Sequence, residues 1–255
     1  MKKQVVIINF NTPELTEAAI LSLRKHGGED YAVTVFDNSA DIDFPAIDGM
    51  PRRVSKARPF KKRMKGVKRI DNTKWQIIDF QAELSKYPDK NPRHSICNDW
   101  GSMKHIWTVQ KLWELFPDGF VLMESDILLK QSIEGFFRPE YSIVAYVQQH
   151  QPGNKFGIGR VLPMLCWMNV PMLTKEGARY FDPERSWMLW PEEDDRRNWY
   201  DTGACLLDDI MRMRPRLKGL HVDIRDFVEH YGSGSWQKTA EARDLWLNQH
   251  AALWK

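Results

Sequence analysis

The sequence predicts one α/β domain, in which a mostly parallel central sheet carries helices on its faces. Residues 4–10 form a short apolar run rich in β-branched side chains, which is typical of a buried strand. Residues 13–27 have apolar side chains at helical spacing, and residues 32–36 form a second strand-like run. A strand, a helix and a strand in this order indicate a parallel βαβ unit with a right-handed crossover. A chain of 255 residues is long enough for one such domain with a large core.

Local signals mark the ends of the first helix and predict the elements that follow. Asn11 or Thr12 caps this helix, Pro13 lies in its first turn, and Gly27 and Gly28 end it. Apolar residues recur at helical spacing in four further segments, which are residues 101–116, 175–181, 203–213 and 239–253. Strand-like runs occur in four more, which are residues 74–80, 119–123, 142–147 and 222–228.

Composition excludes several classes of protein. With 28% charged and 42% hydrophobic residues, the chain is neither collagen-like nor of low complexity, and its apolar runs are too short to span a membrane. The basic start at residues 1–3 is followed by an apolar run that ends at Asn9, so it lacks the core of a signal peptide. Three widely spaced cysteines predict reduced thiols rather than a disulfide framework or a zinc site. We therefore expect a cytoplasmic protein.

Positive charge is concentrated in residues 52–69, which we call the basic segment. It contains ten Lys and Arg residues and no acid, whereas the rest of the chain holds 27 basic and 34 acidic residues, a formal charge of −7. Such a segment suits phosphate groups, an acidic polymer or the anionic lipids at the inner face of a membrane. The alternative is a solvated surface loop.

Polar residues follow the first two predicted strands. Asn9 and Asn11 come at the end of the first strand, and Asp37 and Asn38 at the end of the second. Ligands of an open parallel sheet bind outside the carboxyl ends of its strands, so we expect Asn11 and Asp37 to face this crevice. A carboxylate and amides there suit a base or a ribose hydroxyl. The alternative is that these residues only form turns.

Two acids, Glu124 and Asp126, interrupt the apolar run of residues 120–129. Carboxylates within a buried strand are costly without partners, so they must meet a cation, hydrogen-bond donors or solvent. A divalent metal with oxygen ligands satisfies this need and can also hold a diphosphate. The alternative is a strand that ends at a polar turn. We call residues 124–126 the acidic turn.

A histidine, His230, follows the last predicted strand and precedes a Gly-Ser loop that ends at Ser235 and Trp236. Neutral imidazole is a good metal ligand, and the backbone N–H groups of such a loop suit phosphate oxygens. The alternative is a structural histidine.

Taken in order along the chain, these motifs resemble glycosyltransferase family 2 and related enzymes of the GT-A fold. The likeness lies in residues 5–15 and 36–39, and in the acidic turn as a variant of the Asp-x-Asp signature. Residues 98–101 resemble an Asn-x-Gly region before the helix that leads to this signature, and His230 with its Ser-Trp pair resembles a C-terminal metal ligand. The signature has Asp where this chain has Glu124, so Asp126 is the safer ligand.

The resemblance implies a Rossmann-like GT-A domain over residues 1–255, with a nucleotide-sugar half at 1–130 and an acceptor half at 131–255. It implies Mn²⁺ or Mg²⁺ at Glu124, Asp126 and His230, and a nucleoside diphosphate sugar as donor. The implied donor contacts are Asn9, Asn11, Asp37, Asn38, Asn98, Gly101, Ser125, Ser235 and Trp236. The front of the chain resembles inverting enzymes and the His and Ser-Trp motif resembles retaining ones, so the stereochemical outcome stays open.

Two aspartates in a Trp-rich region are the candidates for a catalytic base, which an inverting transfer needs to take the proton of the acceptor hydroxyl. Asp201 is the first candidate and Asp194 the second, and Asp201 would equally suit a helix N-cap. The clustering of Trp187, Trp190 and Trp199 suits an acceptor sugar.

The sequence therefore predicts a metal-dependent glycosyltransferase that acts on a glycan or lipid-linked acceptor, with no nucleic-acid partner. One alternative is a nucleotidyltransferase that forms sugar nucleotides, but that class carries a Gly-rich basic loop where this chain has residues 11–14. A nucleic-acid-binding protein that uses the basic segment is another, and it leaves the acidic turn and His230 without a role. A catalytically inactive sugar-binding module is the last.

Overall fold

The computed structural model describes residues 3–28, 30–44, 53–87, 100–149, 159–183, 185, 202–232 and 239–255. The strands in these ranges are β1 (Lys3–Asn9), β2 (Tyr31–Asp37), β3 (Ile42–Phe44), β4 (Arg53–Ser55), β5 (Val67–Asp71), β6 (Phe120–Glu124), β7 (Ile127–Leu129), β8 (Ile143–Gln148), β9 (Arg160–Met168), β10 (Gly219–His221) and β11 (Val228–His230). Seven of these strands form the central sheet, in the order β10-β8-β9-β6-β1-β2-β5. Two small antiparallel sheets pair β7 with β11 and β3 with β4.

The central sheet is mostly parallel, as predicted. The ladders of β1 with β2, β1 with β6, β2 with β5 and β8 with β10 are parallel. Only β9, of the strands described in this sheet, runs against its neighbours β6 and β8. The carboxyl ends of β1, β2, β5 and β6 therefore meet at one edge of the sheet.

The α-helices in the described ranges are α1 (Pro13–Gly27), α2 (Phe80–Ser85), α3 (Trp100–Leu115), α4 (Val170–Lys175), α5 (Ala204–Arg212) and α6 (Ala240–Gln249). Short 3₁₀ turns lie at Glu134–Phe136, Ile224–Asp226 and Ala251–Leu253. Pro13 begins α1 and Gly28 follows its last residue, as predicted. Thr12 stands at the N-cap position, but its side chain makes no capping hydrogen bond, so the predicted side-chain cap is wrong. Within the described part of the chain, no helix is long and apolar enough to cross a membrane.

Apolar side chains of the sheet pack into two layers of core. Val6 and Ile8 of β1 belong to one hydrophobic cluster, which also contains Ile106 of α3. Val5 and Ile7 belong to the other cluster, which includes apolar residues of α1. Alternate side chains of a strand point to opposite faces, so β1 joins helices on both sides of the sheet. The structure is thus the α/β domain that the sequence predicts, whereas its division at residue 130 stays a prediction.

Three predicted elements are wrong. Residues 74–79 form a loop and Phe80 begins α2. The strand beside β2 is instead β5, whose basic side chains are exposed at the edge of the sheet. Residues 175–181 do not form a helix, because Gly177 has a φ of 74° and follows the end of α4. Residues 222–228 contain a 3₁₀ turn between two short strands.

β9 has no counterpart among the predicted strands. Its sequence contains Pro163, which argues against a central strand because proline cannot donate to a ladder. In the structure, Pro163 lies opposite an irregularity in the pairing of β9 with β8, between Ala145 and Val147. The interruption of the ladder therefore accommodates the proline.

Candidate functional site

The acidic turn lies at the carboxyl edge of the sheet. β6 ends at Glu124 and β2 at Asp37, and both strands pair with β1, which ends at Asn9. Thr12, at the start of α1, contacts the turn through its Oγ1, which lies 3.0 Å from the Ser125 Oγ. The parallel topology therefore places the acidic turn beside the first two strand ends.

The small sheet of β7 and β11 brings His230 to the acidic turn. β7 follows the turn directly, and His230 at the end of β11 pairs with Ile127 at the start of β7. The Tyr231 N–H donates to the Asp126 carbonyl oxygen at 2.9 Å. As a result, the His230 Nε2 lies 3.5 Å from a carboxylate oxygen of Asp126.

Glu124, Asp126 and His230 each place one potential ligand atom within 4.8 Å of the others. Two carboxylates and an imidazole suit a divalent transition metal such as Mn²⁺. Their side chains are 25%, 14% and 34% exposed, so a ligand can reach them from solvent. Two carboxylates this close repel each other, and a cation removes that repulsion. These residues therefore fit a divalent metal, and we call them the candidate metal site.

His105, on α3, is a further side chain beside this site that sequence reasoning missed. Its Nε2 lies 4.0 Å from a carboxylate oxygen of Glu124, and its side chain is largely buried. An imidazole this near to a potential ligand is placed to orient it. No local pattern could have revealed it, because its contact with Glu124 depends on how α3 packs against the sheet.

The end of β2 is closed by other parts of the protein. Asp37 is fully buried, and its carboxylate accepts hydrogen bonds from the Phe60 N–H at 2.8 Å and the Arg69 guanidinium at 2.7 and 2.9 Å. The Ser39 hydroxyl and the Asn9 amide also donate to it, at 2.7 and 2.9 Å. The expectation that Asp37 faces an open crevice is therefore wrong, because the basic segment covers it.

The neighbouring asparagines are also engaged within the protein. Asn11 has a φ of 58°, which Asn tolerates better than most residues, and its side chain exchanges two hydrogen bonds with the Ala40 backbone. Its Oδ1 also accepts from the Arg58 N–H at 3.0 Å. Asn38 donates to the Thr108 hydroxyl at 2.8 Å. Asn11 is buried and does not face an open crevice either; donor binding by Asn9, Asn11, Asp37 and Asn38 stays a prediction.

Lys104 lies at the same edge, among three aromatic rings. Its Nζ is 5.2–5.4 Å from the ring centroids of Phe10, Trp75 and Phe80. Burial lowers the pKa of Lys104 to about 8. Phe10 follows β1 and Trp75 follows β5, so Lys104 of α3 contacts the segments that leave these two strands.

The remaining predicted site residues are mostly outside the described ranges. These are Asn98, Asp194, Asp201, Ser235 and Trp236, together with Trp187, Trp190 and Trp199. Gly101 is the second residue of α3, and Ser125 contacts Thr12. The roles of all these residues as base or donor contacts stay predictions.

Comparisons with known proteins give structural similarities only. No protein-family model and no curated protein matches the sequence. The galactosyltransferase LgtC, in complex with donor and acceptor sugar analogs, is 13% identical at a TM-score of 0.48, over 98% of this chain and 94% of that one. The glycosyltransferase GlyE of Streptococcus pneumoniae TIGR4 is 13% identical at 0.44, over 98% and 64%. The mannosyltransferase PcManGT from Pyrobaculum calidifontis, in complex with GDP-Man and Mn²⁺, is 10% identical at 0.42, over 99% and 69%. Likenesses this distant do not assign an activity to this chain.

Proposed function

We propose that this protein is a metal-dependent glycosyltransferase. It would move a sugar from a nucleoside diphosphate sugar to a glycan or lipid-linked acceptor. The observation that carries the proposal is the convergence of Glu124, Asp126 and His230 at the carboxyl edge of a mostly parallel sheet. This edge is where open α/β sheets bind their ligands.

The three side chains of the candidate metal site would bind one divalent ion. Such an ion supplies the positive charge that stabilises a diphosphate leaving group. Glu124 and Asp126 would bind it through carboxylate oxygens and His230 through an imidazole nitrogen. An imidazole ligand favours Mn²⁺ over Mg²⁺, which prefers oxygen ligands and water.

Other residues of the chain would support this site without binding the ion. His105 would hold the Glu124 carboxylate in one orientation, and Thr12 would fix the acidic turn through Ser125. The proton of an acceptor hydroxyl would pass to a carboxylate if the transfer inverts configuration. Asp201 is the first candidate for this base and Asp194 the second.

Thermal unfolding tests the proposal. The wild type would be melted with a panel of nucleoside diphosphates and their sugars, with Mn²⁺, with Mg²⁺ and with EDTA. A ligand that binds only the folded protein raises the Tm by mass action. We expect one nucleotide to raise the Tm with Mn²⁺, less with Mg²⁺ and not with EDTA.

Two variants locate the effect. Asp126→Ala should abolish the Mn²⁺-dependent rise in Tm. Asp118→Ala is the matched control. Asp118 is an exposed aspartate just before the amino-terminal end of β6, whereas the acidic turn lies at the carboxyl end of the same strand. No rise with any nucleotide in the wild type, or a rise that survives Asp126→Ala, would overturn the proposal.

A further inference from the structure

The basic segment is anchored to the sheet and to α1. The Phe60 N–H donates to Asp37, and the Phe60 ring is buried in the cluster that contains Ile20 and Leu23 of α1. The Ser39 hydroxyl donates to the Arg58 carbonyl oxygen at 3.0 Å. The backbone around Arg58 and Phe60 is therefore a fixed part of the surface.

Side chains of the segment alternate between two directions from residue 58 to residue 64. Arg58 pairs with Glu14 of α1, and Lys62 pairs with Glu17. Phe60 and Met64 pack against the core. The even-numbered side chains thus face α1 and the sheet. Such alternation is typical of extended chain, in which successive side chains on one side lie about 7 Å apart.

The odd-numbered side chains form an exposed row of cations. Its members are Lys61, Arg63 and Lys65. Among the residues that the structure describes, no carboxylate lies within ion-pair distance of Lys61 or Arg63. The pairing with α1 and with Asp37 therefore neutralises one side of the segment and leaves the other side positive.

The row runs alongside α1. Arg58, just before the row, contacts Glu14 in the first turn of α1, and Thr12 at the start of α1 contacts the acidic turn. After the row, the Gly66 carbonyl oxygen accepts from Arg24 near the end of α1. Glu14 and Arg24 lie about 15 Å apart along the helix axis, at the rise of an α-helix. One end of the row is therefore directed toward the end of α1 that contacts the acidic turn.

From these observations we infer that the basic segment binds an acceptor built of phosphodiester-linked units. This inference rests on the proposed function, because it assigns the class of the acceptor. The spacing of the exposed cations is close to that of successive phosphates in such a chain, and opposite charges attract over this surface. The acidic balance of the remaining chain makes this row the natural contact for a polyanion.

The chemistry of the segment disfavours two other polyanions. Its only aromatic residue, Phe60, is buried, so the segment offers no ring on which nucleic-acid bases could stack. Amphipathic membrane-bound surfaces present apolar side chains beside their cations, whereas Phe60 and Met64, the neighbours of this row, pack against the core. The exposed Val54 of the segment lies apart from the row, on β4. A sugar-phosphate or polyol-phosphate chain needs neither feature.

Fluorescence anisotropy tests the inference with a labelled abasic oligomer of deoxyribose phosphate. This probe has the phosphodiester chain and its sugars but no bases. Binding is measured in EDTA without nucleotide, over a range of salt concentrations. We expect salt-dependent binding that weakens at least tenfold in the triple variant K61Q/R63Q/K65Q, with a shallower salt dependence.

A second triple variant is the matched control. K175Q/R179Q/K218Q removes the same number of positive charges from exposed positions on and near α4 and beside β10. β10 is the edge strand at the end of the sheet opposite to β5. This control variant should bind the probe within twofold of the wild type. Equal loss in both triple variants would overturn the inference, because it would show a response to net charge alone.

Two further ligands separate the sources of phosphate. An oligothymidine of the same length should bind no more tightly than the abasic probe, and anionic lipid vesicles should not bind at matched salt. Tenfold tighter binding of the oligothymidine, or binding to vesicles that needs Lys61, Arg63 and Lys65, would overturn the acceptor class. Because this measurement uses neither metal nor nucleotide, its failure is distinct from failure of the proposed transfer.

Discussion

Two groups of polar residues lie at the same edge of the sheet and have opposite surroundings. Asp37 at the end of β2 is fully buried and hydrogen-bonded to protein groups on each carboxylate oxygen. Asp126 after β6 lies with Glu124 and His230 in a cluster that solvent can reach. The comparison teaches that a polar strand end becomes a candidate binding site only where the rest of the chain leaves it open.

The largest expected difference between the two regions is in stability. Asp37→Ala should lower the free energy of unfolding by about 3 kcal/mol or more, because it leaves the Arg69 guanidinium and the Phe60 N–H without their buried acceptor. Asp126→Ala should change it by less than about 1 kcal/mol, because this variant also relieves repulsion with Glu124. Urea unfolding of both variants checks the contrast, which would fail if the two losses were equal.

A second prediction concerns Lys104, another buried polar group at this edge. Its folded pKa of about 8 lies below its ordinary value of 10.5, so between these values the unfolded chain binds more protons. The free energy of unfolding should therefore rise with pH in this window, by about 2 kcal/mol from pH 8 to pH 10 relative to Lys104→Met. Urea unfolding at several pH values measures this difference. Lys175→Met, at an exposed position, should show no such difference.

A third prediction concerns the open region and its metal. His105→Ala should weaken Mn²⁺ binding about tenfold, because Glu124 would lose a neighbouring imidazole placed to orient it. Electron paramagnetic resonance of free Mn²⁺ measures this affinity directly. His26→Ala, in the last turn of α1, is the matched control and should leave it unchanged. Unchanged affinity in His105→Ala would remove His105 from the site.

The smallest expected effect concerns the contact of α1 with the acidic turn. Thr12→Val and Ser125→Ala should each cost about 1 kcal/mol of stability, since each removes one side of a part-buried hydrogen bond. In the double variant the two losses should be less than additive, because both report the same bond. Strict additivity in urea unfolding would show that the bond contributes nothing.

Local patterns were enough to predict the first βαβ unit and to select the acidic turn. The apolar runs of β1 and β6 are short and uninterrupted, and Glu124 and Asp126 stand out within one of them. β5 escaped prediction because an exposed edge strand with basic side chains lacks an apolar run. The closure of Asp37 also escaped, because its partners Phe60 and Arg69 return from a distant part of the chain.

The pairing of β7 with β11 sets the order in which the candidate metal site is assembled. The acidic turn and His230 are separated by about a hundred residues, so their approach closes a long loop and costs chain entropy. An unfolded chain holds these side chains far apart and has no such site. An ion bound at this site would therefore stabilise the folded protein, in which β7 and β11 are paired, relative to the unfolded chain. Metal concentration would thus stabilise a contact between parts of the chain that are far apart in sequence.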